Sequence, residues 1–311
     1  MMKNVSQREI RAREIGVARE VVRKIGAHLS TNGGIDKAVE RAAAIGANCL
    51  QVFSGSPRMW LRTSLERIDA QKIWSKQREL SVTPIFTHAL YLLNLASDNP
   101  DLVKKSLESL KHDLRFDSHI KGSGVVVHLG SHQGRGWAAV KEQLAASILE
   151  ILSQTPANSR FLIENSAGQN GKIASDLTEI RWLLDEVRRE LPANSHDRLG
   201  WCFDTCHGFA AGYSYLEDSG QRQISPEIGR LKLWSDLACV HVNDSRDAFD
   251  SGRDRHENIG EGNLPLTDLG NFLRLPELAT VPFITEAPGF DGNGPDAENI
   301  ARIRQLVEEE K

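Results

Sequence analysis

Eight short runs of aliphatic and β-branched residues recur along the 311-residue chain, and a helix-like stretch follows each run. Most of the runs are continuously apolar, as strands buried on both faces are. Strand–helix alternation predicts a parallel sheet, and eight units predict a closed α/β (β/α)8 TIM barrel, which typically needs about 250 residues. The predicted strands span residues 25–29, 49–53, 84–87, 125–129, 161–165, 199–204, 239–242 and 281–285.

The segments between these runs have the spacing of amphipathic helices, most clearly at 36–47, 100–120, 139–153 and 175–191. Residues 1–23 are predicted to form an extra polar helix in front of a barrel domain that covers 24–311. No GxGxxG pattern follows the first strand, so the sequence does not support a dinucleotide-binding Rossmann site.

Composition narrows the class of protein. The formal net charge of −4 argues against a non-specific polyanion binder. Four cysteines without a CxxC pair suit neither a disulfide scaffold nor a zinc ribbon. The charged N-terminus lacks the apolar core of a signal peptide, and no apolar run has the length of about 18 residues that a membrane span needs. The expected location is cytoplasmic.

Polar residues stand where the predicted strands end. The chemistry of such barrels is found at the C-terminal ends of the strands, and here every end except Phe53 carries a histidine or a carboxylate. A single histidine at such a place is usually hydrogen-bonded core. Several buried carboxylates packed together without cations, however, would cost several kcal/mol each. We therefore predict a metal centre at this rim from His28, His88, His128, Glu164, Asp204, His241 and Glu286.

Two local motifs add candidate ligands, Asp204-Thr205-Cys206-His207 and Asp254-Arg255-His256. Mixed imidazole and carboxylate ligands suit zinc, manganese or iron. Nine ligands are too many for one tetrahedral ion, which takes about four, so two or three ions are expected. The nine candidates are His88, His128, Glu164, Asp204, His207, His241, Asp254, His256 and Glu286.

Taken in order, the motifs resemble those of the endonuclease IV family of apurinic/apyrimidinic (AP) endonucleases. They extend over residues 24–290, so the resemblance covers the whole predicted barrel. They are IGAHLSTNGG at 25–34, SPRMW at 56–60, HALYLLNLA at 88–96, HLGSH at 128–132, IENSAGQ at 163–169, CFDTCHGFAAGY at 202–213, HVNDS at 241–245, DRHENIGEGN at 254–263 and TEAPG at 285–289.

The resemblance implies a trinuclear zinc site, with Mn²⁺ as an alternative at one or more positions. By motif, His88, His128 and Glu164 would hold the first ion, and Glu164 would bridge to a second. Asp204, His241 and Glu286 would complete the second site, and His207, Asp254 and His256 the third. Three divalent ions would bring the formal charge from −4 to +2, which removes the objection to DNA binding.

The implied reaction is hydrolysis of the phosphodiester 5′ to an abasic site in double-stranded DNA by a metal-activated hydroxide. It leaves a 3′-hydroxyl and a 5′-deoxyribose phosphate, with Glu164 and Glu286 as catalytic residues. A monomer is the simplest expectation.

The resemblance also implies DNA contacts. Arg58, Tyr91 and Leu92 match residues that the family inserts into DNA, and such wedges stabilise a kinked duplex. Without the resemblance, Tyr91 and Leu92 would be interpreted as ordinary loop anchors. Asn94 and Arg255 are further predicted contacts. Six basic residues could place positive charge around the mouth of the barrel, namely Arg58, Lys121, Arg135, Arg246, Arg253 and Arg255.

Two rival functions remain at this point. A sugar isomerase or epimerase on the same type of barrel would bind fewer ions, and the ligand set around His207 argues against it. A damaged-DNA binding protein without catalytic activity is the second rival, and the presence of all nine ligands argues against that one.

Overall fold

The computed structural model describes residues 22–216 and 220–308, so residues 1–21 of the predicted N-terminal helix lie outside the described residues. Within them, eight parallel strands close into a barrel, and each pairs with its neighbours in chain order. The predicted barrel is confirmed. Its strands are β1 (Ile25–His28), β2 (Cys49–Phe53), β3 (Ile85–His88), β4 (Val125–Val127), β5 (Phe161–Glu164), β6 (Leu199–Asp204), β7 (Leu237–His241) and β8 (Phe283–Thr285).

Helices surround the barrel, and their ends follow local chemistry. The helix predicted at 100–120 is observed with those bounds, because Pro100 opens it and the Asn99 Oδ1 accepts hydrogen bonds from two backbone N–H groups. The helix predicted at 36–47 ends earlier, before Gly46, whose φ of 79° is left-handed. The helices are α1 (Ile35–Ala44), α2 (Ala70–Leu80), α3 (Pro100–Ile120), α4 (Trp137–Ser153), α5 (Leu177–Glu190), α6 (Thr205–Ala210), α7 (Ile224–Arg230), α8 (Leu266–Leu273) and α9 (Ala297–Glu308).

Apolar side chains fill the barrel and the layer between strands and helices. The barrel interior holds a cluster with Phe86, Leu162 and Ile284, together with three of the cysteines. All four cysteines are free and buried, as predicted for small apolar core residues. Among the described helices, none is long and apolar enough to cross a membrane.

Two features bear on the C-terminal rim of the barrel. A two-residue antiparallel pair, Asp244–Ser245 with His256–Glu257, ties the segment that carries the Asp254-Arg255-His256 motif to the loop after β7. The expectation for Lys121 is wrong. It lies just beyond the C-terminus of α3, at the opposite end of the barrel, and its ammonium stacks on Trp74 at 3.8 Å from the ring centroid.

Candidate metal centre

The first group of candidate ligands comes from the ends of three neighbouring strands, β3, β4 and β5. The Nε2 atoms of His88 and His128 each lie 3.2 Å from the Glu164 Oε2. The three ligand atoms lie within 4.8 Å of one another, so one ion fits between them. The predicted first site is thus brought together.

A second group adjoins the first and shares Glu164. The Glu164 Oε1 lies 3.1 Å from the His241 Nδ1, which is also 3.8 Å from the Asp204 Oδ2 and 3.5 Å from the Glu286 Oε2. One atom from each of these four residues lies within 4.8 Å of the others. Because its two oxygens face different groups, Glu164 is oriented as a bridge.

A third group forms where α6 meets the paired segment above the rim. The Asp254 Oδ1 lies 3.0 Å from the His207 Nε2 and 3.8 Å from the His256 Nε2, and the two Nε2 atoms are 3.4 Å apart. His207 is fixed because its backbone N–H donates to the Asp204 Oδ1, which caps α6. Two imidazole nitrogens and a carboxylate oxygen this close together could hold a divalent cation.

Hydrogen bonds to the outer nitrogens fix how the imidazoles face the centre. The His88 Nδ1 donates to the Ala89 carbonyl at 2.6 Å, and the His207 Nδ1 donates to the Asn165 carbonyl at 3.0 Å. Each ring therefore turns its other nitrogen toward a carboxylate. The Nε2 lone pair of each ring faces a carboxylate oxygen, and the two repel each other unless a proton or a cation lies between them. This residue set therefore fits metal ions.

The carboxylates and histidines at the centre shift one another's pKa values because they lie close together. Burial alone would raise the pKa of Glu164, but the neighbouring His128 and His241 hold it well below its usual range. Burial alone would lower the pKa of His241, but Glu286 and Glu164 raise it to about 10. A proton on His241 thus offsets part of the carboxylate charge in the second group.

Gln51 is a supporting residue that the sequence reasoning missed. It is fully buried inside the barrel on β2, its Oε1 accepts from the His241 Nε2 at 2.9 Å, and its Nε2 donates to the Glu286 Oε1 at 2.7 Å. One amide therefore holds two candidate ligands from different strands. A polar residue in the middle of an apolar strand run was the available signal.

Asn243 has a similar role in the loop after β7. Its Nδ2 donates to the Asp204 Oδ2 at 2.7 Å, and its Oδ1 accepts from the backbone N–H of Glu286 at 2.7 Å. His28, predicted as a polar strand end, lies outside the three groups. Its Nδ1 is 2.6 Å from the Glu286 Oε1, so it holds a candidate ligand instead.

The predicted DNA-contacting residues differ in exposure. Arg58 is exposed, as are Tyr91 and Leu92, which are 59% and 38% exposed at the rim. Asn94 is buried and its amide is bonded to backbone groups of its own loop and of Ser131, which favours a loop-holding role. The Arg255 guanidinium pairs with Asp247. The DNA contacts of all five residues stay predictions.

Comparisons with known proteins identify the family of the chain. Residues 39–308 match the family model described as a xylose isomerase-like TIM barrel. The chain is 32% identical over 282 residues to a probable endonuclease 4 of Halothermothrix orenii, an alignment that covers 91% of this chain and 99% of that one. It is 33% identical over 287 residues to a probable endonuclease 4 of Persephonella marina, with 91% and 97% covered.

Solved structures give the same relationship. The endonuclease IV of Thermus thermophilus superposes with a TM-score of 0.79 and 30% identity, covering 92% of this chain and 100% of that one. A D-tagatose 3-epimerase-like protein has a TM-score of 0.66 with 17% identity over 92% of this chain and 97% of that one, a likeness of fold alone. With its barrel, its ordered motifs and these relatives, the chain belongs to the endonuclease IV family of xylose isomerase-like TIM barrels.

Proposed function

We propose that this protein is an AP endonuclease that hydrolyses the phosphodiester 5′ to an abasic site in double-stranded DNA. The products would be a 3′-hydroxyl and a 5′-deoxyribose phosphate. The observation that carries the proposal is the grouping of the nine candidate ligands into three adjoining sets, two of which share Glu164. Family membership supplies the substrate class.

The candidate ligands would hold three ions, Zn²⁺ with Mn²⁺ as an alternative. His88, His128 and Glu164 would hold the first, and Glu164, Asp204, His241 and Glu286 the second. His207, Asp254 and His256 would hold the third. When bound, such ions polarise a phosphoryl oxygen and make a water molecule nucleophilic at neutral pH.

The chain's own residues would orient the reactants. His28 and Gln51 both bind the Oε1 of Glu286, so this oxygen is fixed. The Oε2 faces the centre, 3.5 Å from the His241 Nδ1. We assign to this oxygen the orientation of the attacking water, since a fixed carboxylate can accept a hydrogen bond from it.

A cleft beside Glu286 would receive the abasic sugar. It has a volume of about 750 Å³ and is lined by residues that include Phe53, Tyr91 and His256. Tyr91 lies at its rim and packs on Phe53, with ring centroids 5.4 Å apart. Inserted into the duplex, Tyr91 and Leu92 would replace the stacking that the extruded nucleotide loses.

Incision of a defined duplex tests the proposal. The zinc-loaded protein is incubated with a duplex that carries one abasic analogue, and with the same duplex without it, beside metal quantitation. We expect cleavage 5′ to the analogue, a 3′ end that a polymerase extends, and about three ions per chain. Tight binding without cleavage would contradict catalysis, and fewer than two ions per chain would contradict the trinuclear site.

Glu286→Gln tests the catalytic assignment. The amide keeps the shape of the side chain but removes the charge that orients the attacking water. We expect single-turnover cleavage to slow by about 100-fold or more, with abasic-duplex binding changed little. Metal content is measured in parallel. A variant with full metal content that cuts as fast as wild type would refute the role of Glu286.

A further inference from the structure

A second cavity lies on the other side of Tyr91 from the cleft beside Glu286. Its volume is about 380 Å³, and it lies between the loops after β3, β4 and β5. The residues that line it include Tyr91, Asn94, His128, Ser131, Ser166 and Lys172. His128 and Asp254 also line it, but Lys172 and Ser166 belong to none of the three ligand groups, so the metal centre accounts for only part of this cavity.

Lys172 lies beside the third ligand group and does not occupy the carboxylate oxygen that faces His207. Its ammonium is 2.9 Å from the Asp254 Oδ2, while the Oδ1 of the same carboxylate faces His207. The two contacts use different oxygens, so Asp254 can serve a metal ion and Lys172 together. Two of the three ammonium hydrogens are left for another acceptor.

Two further donors face no partner. Ser166 is only 2% exposed, and its hydroxyl has no hydrogen-bond partner among the described residues. The buried Nδ1 of His128 also lacks one there, while its Nε2 faces Glu164. A histidine that offers Nε2 to a metal carries its hydrogen on Nδ1, so this atom is a donor.

The surroundings keep Lys172 in place. The backbone N–H of Ile173 donates to the Gly130 carbonyl at 2.9 Å, and that of His132 donates to the Gly171 carbonyl at 3.0 Å. These bonds tie the loop after β5 to the loop after β4. The cation is therefore held at the cavity by fixed backbone on both sides.

An ammonium, a hydroxyl and an imidazole N–H at one cavity match a ligand that only accepts hydrogen bonds and carries negative charge. Asp254 is the acidic residue among those lining the cavity, and both of its oxygens already have partners. We propose that this cavity is a phosphate subsite in which Lys172 binds a backbone phosphate of the DNA strand that flanks the phosphate being cut. This inference rests on the proposed function.

Lys172→Met tests the subsite, because methionine keeps the length of the side chain and removes the charge. We expect kcat/KM on the abasic duplex to fall about tenfold, mainly through KM. The slope of log KM against log salt concentration should decrease by about one. Lys172→Arg should retain most of the activity. Lys121→Met is the matched control, because it removes the same charge at the opposite end of the barrel.

Neutral methylphosphonate linkages then identify the phosphate. They are placed at one flanking position at a time in the abasic duplex. For wild type, one position should lower kcat/KM about tenfold. For Lys172→Met, the neutral linkage at that position should not lower kcat/KM further. Neutral linkages that lower the kcat/KM of wild type at other positions should still lower that of the variant. Ser166→Ala should weaken binding about threefold without a change in the salt slope, since a hydroxyl carries no charge.

Four outcomes overturn the inference. Equal kinetics for Lys172→Met and wild type would show that the cation contacts no phosphate. Loss of a metal ion from Lys172→Met, without coupling to any linkage, would show that Lys172 only positions Asp254. If wild type does not cut the unmodified abasic duplex, the proposed function fails and this inference fails with it. If wild type is active but no neutral linkage is coupled to Lys172→Met, this inference fails and the proposed function stands.

Discussion

At the scale of single residues, the centre depends on carboxylates whose two oxygens have separate partners. Glu164 turns one oxygen to His88 and His128 and the other to His241. Asp254 divides its oxygens between His207 and Lys172 in the same way. A shared carboxylate fixes the distance between the groups it joins, so neighbouring sites are coupled through single side chains.

Gln51→Met tests whether the hydrogen bonds of Gln51 to His241 and Glu286 contribute to folding stability and to metal affinity. The change leaves the buried Nε2–H of His241 without its acceptor, which costs about 1–3 kcal/mol of folding stability. Loss of a ligand-orienting partner should also weaken binding of the second ion by about 10- to 100-fold. Urea unfolding and a competition assay with a metal indicator measure the two effects.

Gln143→Met is the matched control, because the Gln143 amide donates to the carbonyls of Leu95 and Ser97 rather than to a ligand. It should lose stability but retain metal affinity. Equal metal affinity in the two variants would contradict the role given to Gln51.

At the scale of elements, the close approach of β1 to β2 depends on Gly26. A Cβ at this position would lie 2.1 Å from the backbone oxygen of Cys49 on the neighbouring strand. The two strands pair in parallel with Gly26 opposite Cys49. Any side chain here would therefore push apart strands that position His28 and Gln51.

We expect Gly26→Ala to destabilise the barrel by about 3 kcal/mol or more, because backbone cannot move aside as a side chain can. Urea unfolding gives the measurement. Gly55→Ala is the control, since a Cβ there would meet only the Arg62 guanidinium, at 3.8 Å. A Gly26→Ala protein as stable as Gly55→Ala would show that the strands separate without cost.

Asp117, near the end of α3, is a buried carboxyl with an incomplete set of partners. Its Oδ1 accepts from the Thr87 hydroxyl at 2.8 Å, and its Oδ2 has no partner among the described residues. Burial raises the pKa of Asp117 to about 7. The folded state therefore holds this proton more tightly than the unfolded state, whose pKa is about 4.

The stability that protonated Asp117 contributes is thus present below pH 4 and is lost as pH rises from about 4 through 7. We expect Asp117→Asn, which stays neutral, to be more stable than wild type at pH 8 by on the order of 1–3 kcal/mol, with the difference vanishing at low pH. Unfolding in urea across this range measures it.

Asp113→Asn is the control. Asp113 is also buried, but it pairs with Arg62 at 3.2 Å, so its loss should destabilise the protein at pH 8. An Asp117→Asn protein that is less stable than wild type at pH 8 would mean that this carboxyl is ionised in the folded state.

At the scale of the whole molecule, metal binding and folding should be linked. Four carboxylates and five histidines lie close together in the three groups, and cations relieve the repulsion among the carboxylates. We expect Zn²⁺ to raise the Tm of chelator-treated protein progressively, with about 2.7 kcal/mol gained per site at 100 times its Kd. Mg²⁺ at the same concentrations should have a much smaller effect, because imidazole ligands disfavour it. Equal shifts for both ions would contradict the predicted ligand chemistry.

The sequence predicts much of this molecule because the strands are apolar runs and the polar residues follow them at one rim. The positions of His88, His128 and Glu164 needed only that pattern and the barrel. Gln51 stands out as a polar residue in an apolar strand run, but its role and that of Lys172 were missed because their partners come from distant segments. The position of the third group depends on the pairing of Asp244–Ser245 with His256–Glu257. This pairing also involves contacts that the local sequence does not encode.

The Gln51 amide lies on β2 and forms hydrogen bonds with candidate ligands from β7 and from the end of β8. The spacing of the second group therefore depends on the closure of the sheet. A chain whose barrel has opened at β2 keeps every donor atom but not their spacing. The occupancy of the second group in a preparation should therefore also report what fraction of its molecules has a closed barrel.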